Sequence, residues 1–155
     1  QAASAAIARF LRPDTIAVVG AGSERDQCQP LLVELRDEPR VNDLIGATTI
    51  GGLMHLISHS CLVVANDSAA LHMAVGYDKP IVTLFGPTDT ARVGPYRRQE
   101  TVLQHTPPGA RLSHKDDHAG LEAMRKITTA QVIEAVDHTL RIAGGTHSLP
   151  AETRP

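Results

Sequence analysis

A chain of 155 residues fits one domain and is long enough to bury a hydrophobic core. Its formal net charge of −2 offers no basic stripe for nucleic acid, and it contains no run of 18 apolar residues to cross a membrane. Hydrophobic residues make up 42% and aromatics only 3%, a composition rich in Ala, Val, Leu and Ile that suits strand-and-helix packing. No charged-then-apolar signal pattern opens the chain. With Cys28 and Cys61 the only cysteines, a reduced cytoplasmic setting is expected and a disulfide is the minor alternative.

In chain order, Ser4 to Leu11 reads as a short amphipathic helix, with Ile7, Phe10 and Leu11 on one face and Pro13 stopping it. Thr15 to Val19 is a continuous apolar run, the mark of a strand covered on both faces. Gly20 to Asp26 turns into a helix from about Gln27 to Arg36, where Pro30 is tolerable only in the first turn. Val41 to Ile45 is a short strand, and Thr49 can cap a helix running to about His59. A strand at 61–65, opened by Cys61, a helix at 68–76 and a strand at 81–85 follow, with one more strand at Thr101 to Gln104. Thr106 to Gly120, rich in Pro, Gly and charge, is loop. The last helix opens on a capping box, Thr128 with Gln131, carries Val132, Ile133, Val136 and Leu140 on one face, and ends at Gly144-Gly145. Residues 1–145 thus form one Rossmann-like α/β domain with a parallel sheet, and 146–155 a flexible tail.

In an open α/β sheet the ligand crevice lies at the carboxyl ends of the strands, beside helix amino termini whose free N–H groups attract anions. Several candidates fall there. Gly20-x-Gly22 follows a strand, but Arg25 stands where a dinucleotide fingerprint needs its third glycine, so two glycines for a tight turn is an equal reading. Glu24 can accept hydrogen bonds from ribose hydroxyls, or simply sit at a helix N-terminus favoured by the dipole. Asp67 and Ser68 follow a strand directly, Ser68 is a sound N-cap, and His72 lies one turn further along the same helix face. A nucleophile elbow is missing, so Asp, Ser and His converge on the helix mouth without forming a hydrolytic triad.

Gly86-Pro87-Thr88-Asp89 is a rigid turn able to present Thr88 and backbone N–H groups to a phosphate, though Gly-Pro also punctuates ordinary turns. Arg92, Arg97 and Arg98 lie just beyond it and either meet phosphate or stand as plain surface charges. His55 and His59 are four apart on a helix but lack a third metal ligand, and no Asp-x-Asp pair anchors a cation on pyrophosphate.

Taken together, these residues resemble glycosyltransferase family 9, the ADP-heptose:lipopolysaccharide heptosyltransferases. The resemblance runs over roughly residues 15 to 142. It is carried by Ile16 to Glu24, Leu44 to Ile50, Asn66-Asp67-Ser68 with Leu71-His72-Met73-Ala74, and Lys79-Pro80. Phe85-Gly86-Pro87-Thr88-Asp89, Gly94-Pro95-Tyr96 and Met124 to Thr128 complete it.

The family's fold is GT-B, two Rossmann-like domains facing across a cleft, and the chain is similar to the carboxyl-terminal, donor-binding one. By that resemblance Glu24 holds the ribose and the Leu44 to Thr48 loop, Thr48 included, borders the adenine. Asp67 binds sugar hydroxyls, and the backbone of Ser68, Ala69 and on to Leu71, with His72 and Thr88, meets the sugar or diphosphate. The implied reaction is metal-independent, inverting transfer of a sugar, heptose in the family, from an ADP-sugar to a lipopolysaccharide core acceptor, with no cofactor. It also implies a cytoplasmic location, with peripheral association at the inner face of the inner membrane left open.

The departures matter as much as the matches. The strand and Lys-x-Trp-Pro loop that normally open the donor domain have no counterpart before Ala5, so the sheet is expected to lack its first strand. The amino-terminal domain, which binds the acceptor and usually supplies the catalytic base, has no counterpart either, so the catalytic residue is unassigned and the chain alone is expected to be inactive. Ala69 replaces a usual glycine, where its methyl would crowd the sugar or forbid a positive φ. The cysteines often found late in the family are absent between Gln104 and Met124. A non-catalytic nucleotide-binding module of the same fold is the alternative, and an unrelated NAD-binding domain a third.

Overall fold

The computed structural model describes residues 15–105 and 122–145. The helix expected at 4–11, the loop at 106–120 and the tail at 146–155 lie outside the described residues. Strand β1 (Ile16–Val18) leads through a 3-10 turn (Gly22–Glu24) into helix α1 (Arg25–Glu34), then strand β2 (Val41–Asp43) and helix α2 (Ile50–His59). Strand β3 (Val63–Asn66), helix α3 (Ala69–Gly76), strand β4 (Ile81–Phe85) and the short helix α4 (Thr90–Val93) follow. A 3-10 turn (Gln99–Thr101) precedes strand β5 (Val102–Gln104), and helix α5 (Thr129–Gly145) closes the described chain.

All strand pairings are parallel, as alternating strands and helices require. They fall into two sheets rather than the single one expected, β1-β2 and β3-β4-β5. Among the described residues β1 pairs only with β2 and β3 only with β4, so each keeps an edge with no strand beside it.

β4 is the centre of the larger sheet and is covered on both faces, which is why Ile81 to Phe85 is apolar at every position but Thr83. Ile81 and Phe85 pack with Ile57, Leu71 and Ala74 of α2 and α3. Val82 packs with Val132 and Val136 of α5, with Leu84, Leu103 and Leu140 alongside. Thr83, fully buried, satisfies its hydroxyl by donating to the Thr101 carbonyl at 3.2 Å. The smaller sheet rests on α1 through Leu31 and Leu35 against Ile16, Val18 and Val41.

The self-contained local signals form as their residues dictate. Thr49 caps α2 by accepting from the Gly52 amide at 3.1 Å. The capping box before α5 is reciprocal: the Thr128 amide donates to Gln131 Oε1 at 2.9 Å, and the Gln131 amide donates to Thr128 Oγ1 at 3.2 Å. Within α5, Val132 and Val136 are buried, while Ile133 is only half-buried.

Four expectations need correction. β1 is not covered on both faces: Ile16 and Val18 pack against α1, while Ala17 and Val19 are exposed. α1 begins at Arg25, so Pro30 sits past the first turn, inside the helix, at the cost of one backbone hydrogen bond. Cys61 is exposed and precedes β3, which starts at Val63; the strand is set by Val63 to Asn66 pairing with Ile81 to Leu84. Ser68 stands at the N-cap of α3, but its side chain does not cap the helix.

Candidate functional site

The loops after β1 and β2 carry the candidates Glu24 and Thr48. Gly46 has φ +73°, and a Cβ there would lie 2.9 Å from the Gly22 Cα, so the two loops approach at a distance that only glycine allows. The Gly46 amide donates to the Gly20 carbonyl at 2.9 Å, fixing that approach. Glu24 lies in the 3-10 turn, and its Oε2 accepts from the Ala21 amide at 2.7 Å. One carboxylate oxygen is thus engaged by its own loop, and Oε1 carries no hydrogen bond among the described residues. Thr48, half-buried, lies on the facing loop just ahead of α2.

Arg25, which excludes a dinucleotide fingerprint, has a structural role. Its Nη2 donates to Asp43 Oδ2 at 2.6 Å, and its Nη1 donates to Asp43 Oδ1 at 3.3 Å and to the Ile45 carbonyl at 3.1 Å. Asp43 Oδ1 also accepts from the Ile45 amide at 3.1 Å. The start of α1 is therefore tied to the end of β2 by a two-pronged ion pair. Hydrogen bonding from Arg25, then the Ile45 amide, holds the Asp43 carboxyl below its ordinary value despite partial desolvation. A lowered folded-state pKa means the tie is intact above the ordinary carboxylate range and is lost as pH falls through the lowered value.

The mouth of α3 carries the candidates Asp67, Ser68, Ala69 and His72. β3 delivers Asn66, then a bend at Asp67, then Ser68 in extended backbone, then the helix. The Ser68 hydroxyl turns back and donates to the Asn66 carbonyl at 3.3 Å, while the helix opens with the Leu71 amide donating to the Ser68 carbonyl at 3.2 Å. The Ala70 amide is left without the usual side-chain acceptor, and the Ala69 amide carries no hydrogen bond among the described residues, both at the positive end of the helix dipole. Asp67 is exposed, and its carboxylate has no partner among the described residues. His72 is exposed one turn on. Ala69 is exposed and helical, and positive φ among non-glycine residues occurs only at Asp78 and Arg97 of those described, so the methyl forbids nothing here. Leu71 is wholly buried, so its side chain belongs to the core and only its backbone faces the mouth.

The turn after β4 carries Thr88, half-buried, and Asp89, whose Oδ1 caps α4 by accepting from the Ala91 amide at 3.1 Å. The arginines beyond it do not gather there. Arg98 is bound to the Asp78 carboxylate and donates to the Lys79 carbonyl at 2.7 Å, just ahead of β4 and thus at the opposite end of that strand. Arg97 stacks over the exposed Tyr96 ring at 5.2 Å. Arg92 is exposed on α4. Arg98 is therefore withdrawn as a phosphate contact. His55 and His59 stack with centroids 4.3 Å apart, and His59 Nδ1 lies 2.9 Å from the His55 carbonyl.

Glu24 and Thr48 are thus brought onto facing loops, and Asp67, Ser68, Ala69 and His72 onto one helix mouth. Sequence reading missed the ties that hold these loops, Arg25 with Asp43 and Gln104 with the Gly86–Thr88 turn. An Asp closing one strand and an Arg opening the preceding helix of the same β-α-β unit was the available signal for the first. Among the described residues no helix is long and apolar enough to cross a membrane.

The sequence profile of glycosyltransferase family 9 (heptosyltransferase) matches residues 5–121. Lipooligosaccharide heptosyltransferase 2 of Haemophilus influenzae is 33% identical over 106 residues, covering 64% of this chain and 30% of that protein. Lipopolysaccharide heptosyltransferase 2 of Salmonella typhimurium is 24% identical over 132 residues, covering 83% of this chain and 38% of its own length. The structure of Escherichia coli ADP-heptose lipopolysaccharide heptosyltransferase II superposes with a TM-score of 0.74 at 20% identity, over 92% of this chain and 41% of that one. The glycosyl transferase family 9 structure from Veillonella parvula gives 0.70 at 22% identity, over 92% and 42%. Those two likenesses show the shared α/β fold. The chain spans 30% and 38% of the length of the two curated relatives. With the profile matching most of its residues, the chain belongs to glycosyltransferase family 9.

Proposed function

We propose that this chain is the donor-binding part of a heptosyltransferase-like glycosyltransferase and binds ADP-heptose or a closely similar ADP-sugar. The observation that carries this reading is the mouth of α3, where the Ser68 hydroxyl turns away from the Ala70 amide and the Ala69 amide is also open, beside the unpartnered Asp67 carboxylate. Open amides at a positive helix end suit a diphosphate. A carboxylate beside them is repelled by phosphate, so Asp67 is assigned to the sugar hydroxyls, which donate to it. Glu24 Oε1 takes the ribose hydroxyls, Thr48 borders the adenine, and His72 and Thr88 flank the sugar and diphosphate.

In this reading an acceptor hydroxyl attacks the anomeric carbon from the face opposite ADP. The bond from that carbon to the diphosphate oxygen breaks with its electron pair on the oxygen, and the configuration inverts. The charge that develops there is met by preorganised amides and the helix dipole, with no metal needed for that part of the work. The base that takes the acceptor proton is assigned to the rest of the complete protein. The names of the relatives, lipopolysaccharide and lipooligosaccharide heptosyltransferases, support a lipopolysaccharide core acceptor and with it a cytoplasmic setting at the inner membrane face.

The isolated 155-residue chain is expected to transfer no heptose and to bind ADP more tightly than NAD in titration calorimetry. Tighter binding of NAD would replace this reading with a dehydrogenase-type domain.

A further inference from the structure

We infer that Gln104 is a positioning residue for the diphosphate end of the donor site, an assignment that rests on the donor-binding reading above. Gln104 closes β5 opposite Phe85, the last residue of β4. Its side-chain amide is wholly committed to the turn that follows β4. Nε2 donates to the Gly86 carbonyl at 2.7 Å and to the Thr88 carbonyl at 2.8 Å, and Oε1 accepts from Thr90 Oγ1 at 3.4 Å. The reverse orientation of the amide would set its oxygen against two carbonyl oxygens, so the donor end must face the turn.

That grip decides what the turn can offer a ligand. Pro87 has no N–H, so the peptide after Gly86 presents nothing but the carbonyl Gln104 already holds. The peptide between Thr88 and Asp89 is different. In a trans peptide the N–H points away from the carbonyl, so holding the Thr88 carbonyl against β5 aims the Asp89 amide to the opposite side. Gln99 secures the following helix independently, its Nε2 donating to the Thr90 carbonyl at 3.0 Å. Gln104 therefore fixes the direction of the Asp89 amide and the place of the Thr88 side chain, and touches no ligand itself.

The test compares Gln104→Met, which keeps the length and loses the donors, and Gln104→Asn, which keeps the amide but falls short of both carbonyls. Calorimetric affinities for ADP and adenosine are measured on the full chain, with hydrogen exchange at residues 88–91. The expected result is ADP binding weakened about tenfold in both variants, as for loss of well-placed contacts to a charged group. Adenosine binding stays as in the wild type, and exchange at 88–91 is faster. Equal weakening of ADP and adenosine, or unchanged ADP affinity, overturns the assignment. If the wild-type chain binds neither ligand, the donor-binding reading itself falls. Unchanged exchange in Gln104→Met then separately overturns the grip of Gln104 on the turn.

Discussion

Ala69→Pro is expected to leave the fold intact and to weaken ADP-sugar binding by about tenfold to a hundredfold, the scale of one hydrogen bond to a charged group. The substitution is tolerable for identifiable reasons. Ala69 is the first residue of α3, the one helical position proline favours, where the missing N–H breaks no helical bond. Ser68 before it already has φ −150° and ψ 167°, the extended backbone that a residue preceding proline must adopt. Ala69 is exposed, so the ring has room. What disappears is one amide donor at the helix mouth. In the complete enzyme the same change should lower the transfer rate by roughly 10²–10³, as when one oxyanion-hole donor is removed. Circular dichroism and thermal melting check that the helix survives. Wild-type affinity in a well-folded Ala69→Pro variant would mean that this amide does not meet the donor.

Phe85→Ala should have the largest effect on stability. Phe85 is fully buried and packs with Ile57, Leu71, Ala74 and Ile81. Truncating a buried phenylalanine costs about 3–5 kcal/mol, against a total of about 5–15 kcal/mol for an ordinary domain. At this chain length the melting temperature should fall by about 10 °C. The effect reaches the site, because Phe85 lies directly before the Gly86–Thr88 turn and shares a cluster with Leu71 of α3. Phe85→Leu, which retains much of the apolar volume, should lose much less. A melting temperature for Phe85→Ala within a degree or two of wild type would contradict this account of the core.

The parts legible in the sequence are those whose causes lie within a few residues. Thr49 caps α2 across three residues, Thr128 and Gln131 cap α5 across the same span, and the apolar run Ile81 to Phe85 is β4 end to end. No local rule assigns Asp67 to a sugar; that role is proposed from the family motifs. The long-range ties lie beyond the local rules. Arg25 meets Asp43 across 18 residues and Gln104 meets Thr88 across 16, and periodicity or capping cannot report either. Arg98 shows the same limit from the other side, since it follows the phosphate-like turn in sequence yet folds back on Asp78 and Lys79. The direction of the Ser68 hydroxyl is a subtler miss. A serine at an N-cap position is expected to accept from the helix, and here it donates to Asn66 instead, which is what leaves the helix amides open.

Titration of ADP-heptose and ADP into the wild-type chain and into Asp67→Ala and Glu24→Ala tests the central claim most directly. The account predicts that Glu24→Ala weakens both ligands, because both carry the ribose. Asp67→Ala should weaken ADP-heptose and leave ADP bound at least as tightly, because only the sugar donates to that carboxylate and its loss relieves a repulsion on the diphosphate. Unchanged ADP-heptose affinity in Asp67→Ala, with binding abolished in Glu24→Ala, would contradict the assignment of the α3 mouth to the sugar end of the donor.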